Sequence, residues 1–464
     1  RLTPTPPRRP LRGRRSAPPL AVGASFFREF TSMLLAGLLF SLCALILIGA
    51  PIAVALAVVA IATMYWVAGL DLLYIFIQRF YVGTTSFPLL AIPFFILAGN
   101  LMNAGGITER IFAAAQLCVG RIRGGLGHVN VIASMMFSGM SGSAVADAAG
   151  LGIVEVKAMR EAGYSPRFAA TITAVSSTIG PIIPPSIPLV IYGSLANVSI
   201  GALFLAGIVP GVLMGVSMMI VIALLAKRKK LPIMENRPAG PEARRIFRDA
   251  APAVLMPVFV VGGILGGFVT PTEAAVVATA YALILGMIVN RELRFKDLPE
   301  MLWLSGRQTV QVMFIIAAAA PFGWVLIQQQ IPNAVIASLF ALSSDPWMIL
   351  IIVNLILLVL GMFIEGVAVI IIAFPILLPV MLQIGVDPVH FGIIMVLNLM
   401  IGLVTPPVGL CLFAVSSVSG VPVGDMVKEM WPYIIGLFLV LMLVTFVPEV
   451  VLWLPELFGH GGAR

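Results

Sequence analysis

The segment TIGPIIPPSIP, residues 178–188, places four prolines in eleven positions, and a second proline pair occurs in GLVTPP, residues 402–407. A proline within a helix removes one backbone donor and clashes with the carbonyl a turn earlier, at a cost of roughly 3 kcal/mol or more. Each segment therefore exposes backbone carbonyls that a continuous helix would pair. Polar side chains precede both breaks: Ser138, Ser141, Ser143 and Asp147 in FSGMSGSAVADAAGLG, 137–152, and Glu365 alone in GMFIEGVAVIIIAFP, 361–375. Hydroxyls together with unpaired carbonyls suit a hard cation, and an isolated acid in an apolar run is costly enough to mark function. The bland readings remain open beside these. Serines serve as interhelical glue, a carboxylate at a hairpin tip can reach solvent, and a lone proline often only kinks a helix.

The elements that must position these groups are membrane helices. The chain of 464 residues is 60% hydrophobic and 10% charged, with a mean hydropathy of +1.09, whereas soluble domains carry about 25% charged residues. Apolar runs close to the ~20 residues that span a bilayer recur, among them Leu34–Tyr65, Leu203–Ala226, Ala253–Val269, Ala274–Val289, Met348–Phe363 and Tyr433–Val447. They predict an all-α polytopic membrane protein with about twelve spanning or half-spanning helices. The formal charge of +8 then reads as a topology signal and not as a nucleic-acid surface. Residues 227–249, KRKKLPIMENRPAGPEARRIFRD, read as a cytoplasmic linker, and the Pro- and Arg-rich residues 1–32 as a disordered or non-native leader. Cys43, Cys118 and Cys411 lie in apolar stretches without metal-ligand spacing and read as packing residues. Thr270-Pro271 with Glu273 in the first turn reads as a helix start, Glu273 capping it, with a transport role as the alternative.

The linker divides the rest of the chain into similar halves, which repeat at an offset of 222. Gly139-Met140 returns as Gly361-Met362, and Gly163 and Pro166 return as Gly385 and Pro388. Gly180, Pro184 and Pro185 return as Gly402, Pro406 and Pro407, while Ser194 and Pro210 return as Ser416 and Pro432. No gap is needed over about seventy residues, and the matches fall on residue types that dictate backbone shape. Glu365 stands at the position of Ser143. Paired breaks in register belong to the architecture, and irregular backbone at membrane depth is tolerated where it is buried or lines a wet cavity.

SGMSGSAVADAAGLG, TIGPIIPPSIPLVIYG, GGFVTPTEAAVVATAYAL and GLVTPPVGLCLFAVSSV, in that order, resemble the large membrane subunit of tripartite ATP-independent periplasmic (TRAP) transporters across about residues 33–455. The resemblance implies an ion-transporter-superfamily elevator fold with two inverted repeats, 33–226 and 250–455, and a tail over 456–464. Each repeat would carry a re-entrant hairpin (about 125–162 and 350–384) and a broken helix (about 168–199 and 391–419). It further implies Na⁺-coupled uptake of an organic acid such as a dicarboxylate, sialic acid or keto acid, with no organic cofactor, in the bacterial inner membrane. A periplasmic binding protein would deliver the substrate, and a small four-helix membrane subunit, expected as a separate polypeptide, would complete the system. By motif, one Na⁺ set falls on Ser141, Gly142, Ser143, Thr178, Gly180, Pro181 and Pro184, mostly through backbone carbonyls. The second falls on Gly361, Glu365, Gly366, Gly402, Thr405 and Pro406. Asp147, Ser186, Ser194 and Asn197 are placed for substrate, with half-helix N-termini compensating for the scarcity of Lys and Arg in apolar regions.

Two alternatives come from other classes. A stand-alone Na⁺-coupled dicarboxylate or anion carrier of similar fold would transport without a binding protein. Gly139-Met140-Ser141-Gly142 also fits a Gly-x-Ser-Gly intramembrane serine protease pattern with His390, expected in a loop, as base, but a protease gives no reason for the repeat. The five arginines between Arg8 and Arg15 oppose a periplasmic start of the first repeat, a conflict that disappears if the leader is non-native.

Overall fold

The computed structural model describes residues 34–459 apart from 35, 36, 39, 47, 120, 121 and 234–239, and all of their side chains except those of 68, 70, 71 and 139–141. The expected leader lies outside the described residues. Apart from one antiparallel bridge between Arg123 and Ile233, every regular element among the described residues is helical.

The first half runs α1 (Ile52–Ala68), α2 (Leu73–Thr84), α3 (Ala91–Ala104) and α4 (Ile107–Cys118), then the hairpin α5 (Gly125–Ser141) and α6 (Ala144–Glu161). The broken pair α7 (Pro166–Ser176) and α8 (Ile187–Ala196) follows, then α9 (Ile200–Arg228). The second half runs α10 (Pro241–Leu265), α11 (Pro271–Ile284), α12 (Leu298–Gln328) and α13 (Ile331–Leu342). Its hairpin is α14 (Pro346–Phe363) and α15 (Gly366–Gln383), its broken pair α16 (Pro388–Gly402) and α17 (Leu410–Ser419), and α18 (Val423–Phe446) and α19 (Glu449–Leu457) close the chain. Eight of the described helical segments are long and apolar enough to cross a bilayer, and five shorter apolar helices accompany them. Residues 241–249, read from composition as linker, form the first turns of α10.

Local chemistry explains why helices start where they do. Ser165, Asp345 and Asp387 each precede a proline at the first helical position and accept a backbone N–H of the first turn. That arrangement satisfies a donor the helix leaves orphaned. Thr270 and Glu273 form a reciprocal capping box at α11, with the Thr270 N–H donating to Glu273 Oε2 at 2.7 Å. Glu273 is thus a cap. His390 lies in the first turn of α16 and not in a loop, because Asp387 and Pro388 start the helix ahead of it. Of the three cysteines expected in packing, only Cys411 is buried, while Cys43 and Cys118 are exposed on the chain's outer surface.

We group the helices into two bodies by their main partners, and the two also touch, α4 packing on α5 and α12 on α15. In the first, α3 lies along α11, α12 runs against α1 and α2, and α4 packs on α10. In the second, the repeats interlock: α6 of the first packs on α17 of the second, α15 of the second packs on α8 of the first, and α9 packs on α18. The starts of α6 and α15 and of α7 and α16 obey the 222-residue offset. Polar ties between hairpin and broken helix recur in both repeats, with Ser176 and Asn398 at the offset and Asn130 and Asn354 two residues off it. Ser176 Oγ donates to Asn130 Oδ1 at 2.7 Å in one repeat, and Asn398 Nδ2 donates to Asn354 Oδ1 at 2.7 Å in the other. Without water, such ties and small residues hold helices together where apolar burial supplies little drive.

Asn398 also donates to the Asn354 carbonyl at 2.9 Å, and Asn354 Nδ2 donates on to Thr445. Removing the Asn398 amide strands a buried acceptor, so Asn398→Leu is expected to cost about 1–2 kcal/mol. A fluorescence thermal-unfolding scan of the purified protein checks this, and an unchanged midpoint contradicts it.

Candidate functional site

The two proline breaks re-satisfy most of the backbone they free. A helical carbonyl needs the N–H four residues on. Pro181, Pro185 and Pro184, Pro188 therefore orphan Ser177, Pro181, Gly180 and Pro184 in turn. The Gly180 N–H reaches Ser177 at 3.2 Å, and Ser186 Oγ donates to the Pro181 carbonyl. Gly180 and Pro184 keep carbonyls that no helical N–H can meet. In the second break Gly402 accepts from the Thr405 N–H at 2.9 Å, and Leu403 accepts from the Cys411 N–H at 3.0 Å. The peptide bonds Pro184–Pro185 and Pro406–Pro407 are both cis.

The hairpin tips meet across a cavity of about 200 Å³. Gly142, with φ +60°, turns the first hairpin in a left-handed conformation that favours glycine. A Cβ there would lie 3.1 Å from the Ile187 nitrogen, so the tip sits tight on the start of α8. Ser143 and Glu365, equivalent in the repeat, are the N-caps of α6 and α15. Ser143 accepts from the Ala146 N–H at 3.4 Å and Glu365 from the Ala368 N–H at 3.2 Å. Both line the cavity, together with Pro181, Ile187 and Pro188 of the first break and Leu403 of the second. The N-termini of α6, α8 and α15 thus border one space. Each contributes about half a positive charge, while Glu365 is the one charged side chain among the described residues of the lining.

The other expected residues are distributed as follows. The side chain of Ser141, at the end of α5, lies outside the described residues. Gly366 opens α15 beside Met400. Gly361 packs on Gly402, where α14 crosses α16, and a Cβ on Gly402 would lie 2.6 Å from the Gly361 carbonyl carbon. Thr178 and Thr405 are buried, and their hydroxyls donate to the carbonyls of Val175 and Ile401 at 2.7 Å. Pro406 sits in its cis bond beside Thr405.

The substrate candidates do not gather at the cavity. Asp147 is buried in the first turn of α6 against Gly180. The Ser186 hydroxyl caps α8. Ser194 Oγ is 2.9 Å from Ser86 Oγ, and Asn197 is the exposed C-cap of α8. These last two lie about 10 and 15 Å along α8 from its cavity end at 1.5 Å per residue. His390 Nε2 is 2.7 Å from the Val444 carbonyl, so the ring is engaged in packing α16 on α18.

The wall opposite the tips comes from the first body. Asn100 and Asn103 of α3 and Gln308 and Gln311 of α12 line it. No motif in the sequence singles them out. Polar amides within otherwise apolar helices were the available signal, but their meeting across some two hundred positions of chain is a tertiary fact.

Residues 39–450 match the family model described as "Tripartite ATP-independent periplasmic transporter, DctM component". The chain belongs to this family. Among its relatives is the sialic acid TRAP transporter large permease protein SiaM of Vibrio cholerae, 43% identical over 92% of this chain and 99% of that protein. Another is the C4-dicarboxylate TRAP transporter large permease protein DctM of Pseudomonas aeruginosa, 42% identical over 82% of this chain and 89% of that one. Among solved structures, the Alcanivorax borkumensis YdaH transporter superposes with a TM-score of 0.61 at 12% identity, covering 88% of this chain and 98% of that one. At that identity the likeness is one of fold. The TRAP relatives are transport permeases and not enzymes, so the protein is a multi-pass TRAP large permease subunit for organic acids and the protease reading falls.

Proposed function

We propose that this TRAP permease carries an organic anion across the bacterial inner membrane by Na⁺-coupled, elevator-type movement. The second body would slide against the first, with the cavity between them as its cargo site. The observation that carries this reading is the meeting of the two hairpin caps, Ser143 and Glu365, in one cavity beside the first proline break. Helix N-termini draw an anion, while hydroxyl, carbonyl and carboxylate oxygens suit a hard cation. Anion and Na⁺ at adjacent positions offset each other's charge, which gives coupling a physical basis. A small membrane subunit and a periplasmic binding protein would complete the transporter, as the naming of the relatives as TRAP permeases suggests.

Uptake of a radiolabelled organic acid is the test. Proteoliposomes would hold this chain and its small subunit, with and without the binding protein and an inward Na⁺ gradient. Uptake that needs both supports the proposal. Uptake driven by Na⁺ alone would show a stand-alone carrier, and uptake indifferent to Na⁺ would remove the coupling ion from the account.

A further inference from the structure

The amide wall has an orientation. Asn100 Nδ2 donates to Ser305 Oγ at 2.8 Å and to Gln308 Oε1 at 2.9 Å, while Asn103 Oδ1 accepts from Thr108 Oγ1 at 2.9 Å. The carbonyl ends of Gln308 and Asn103 are therefore held within the first body. Among the described residues no acceptor meets the NH₂ groups of Gln308 and Asn103, and no hydrogen bond engages the Gln311 amide. A Cβ on Gly150 would lie 3.0 Å from Asn103 Nδ2, so the absence of a side chain there leaves that amide room beside the hairpin. No Lys or Arg lines this wall.

On these grounds we propose that the scaffold amides Asn103, Gln308 and Gln311 read substrate hydroxyls, and that the preferred cargo is a polyhydroxylated monocarboxylate and not a short dicarboxylate. The inference rests on the transport reading above. One carboxylate is accommodated where the helix N-termini border the cavity. A second carboxylate would find NH₂ donors there but no cationic partner, so its charge would be buried uncompensated. Hydroxyl oxygens accept from such NH₂ donors without bringing a charge into the cavity. A site that hydrogen-bonds a substrate hydroxyl discriminates strongly against an analogue lacking it, because its own polar groups are then left unpaired.

The test compares N-acetylneuraminate and succinate as probes in reconstituted uptake by the assembled transporter with a binding protein matched to each. Wild type is expected to show the lower KM for N-acetylneuraminate. Gln311→Leu changes no charge and breaks no hydrogen bond among the described residues. It is expected to raise the N-acetylneuraminate KM about fivefold or more and the succinate KM less. Gln308→Glu keeps an acceptor for Asn100 but exchanges the NH₂ group for a negative charge, and should raise the KM of both anions, N-acetylneuraminate included. A lower KM for succinate in wild type overturns the inference while the transport reading stands. So does an unchanged N-acetylneuraminate KM in both variants. Uptake of neither acid by an assembled complex overturns the transport reading, and the inference with it.

Discussion

Gly402→Ala is expected to abolish uptake and to lower the yield of folded protein sharply. The added methyl would lie 2.6 Å from the Gly361 carbonyl carbon and 2.7 Å from its Cα. Backbone, and not a flexible side-chain end, is what it meets, so α14 and α16 must separate. These helices belong to the hairpin and the break that frame the second half of the site, and Leu403, the next residue, lines the cavity. Overpacking of this kind typically costs about 1–3 kcal/mol, and here the strain falls on the geometry the site depends on. Gly424→Ala is the control, because nothing lies within 4 Å of a Cβ at that position. Size-exclusion profiles and uptake of both variants decide the matter. Normal uptake by Gly402→Ala would show that the crossing relaxes at little cost.

Glu365→Gln is expected to raise the Na⁺ concentration for half-maximal uptake at least tenfold. Gln retains an oxygen that can accept from the Ala368 N–H, so the cap on α15 is preserved and only the charge is lost. A full charge about 4 Å from a cation is worth ~4 kcal/mol at an effective dielectric of 20, and tenfold needs only about 1.4 kcal/mol. At saturating Na⁺ the substrate KM should change much less, since a carboxylate in an anion's cavity does not itself attract the anion. Uptake titrated against Na⁺ at fixed substrate measures this. An unchanged half-maximal concentration would mean that Glu365 only caps its helix.

Much of the architecture was legible because it rests on residues that constrain backbone. Gly and Pro at a fixed offset revealed the repeat, and the two breaks fall where the proline pairs stand. The equivalence of Ser143 and Glu365 was also readable, and the structure gives it a shared meaning, since each caps the second arm of its hairpin. Side-chain destinations were less legible. Ser186, Ser194 and Asn197 follow the first break in sequence, yet a helix rising 1.5 Å per residue carries Ser194 and Asn197 away from the cavity, and Ser186 spends its hydroxyl on capping. The freed carbonyls were expected to await ligands. Short-range turns and the Ser186 hydroxyl recapture four of them, a competition between local bonding and binding that residue types alone do not settle. The amide wall is not legible in the sequence because Asn100 and Gln308 meet through packing of helices from opposite halves of the chain. His390 lies in a helix and not in a loop, and Asp387-Pro388 before it is the helix-start signal that says so.

Electron cryo-microscopy of the assembled transporter with saturating Na⁺ and a transported acid tests the central claim most directly. The account predicts substrate density in the cavity bordered by Ser143, Ile187, Glu365 and Gln308, with ion density within reach of the hairpin caps or the Gly180 and Pro184 carbonyls. Substrate density at another position, with this cavity filled only by solvent, would contradict it.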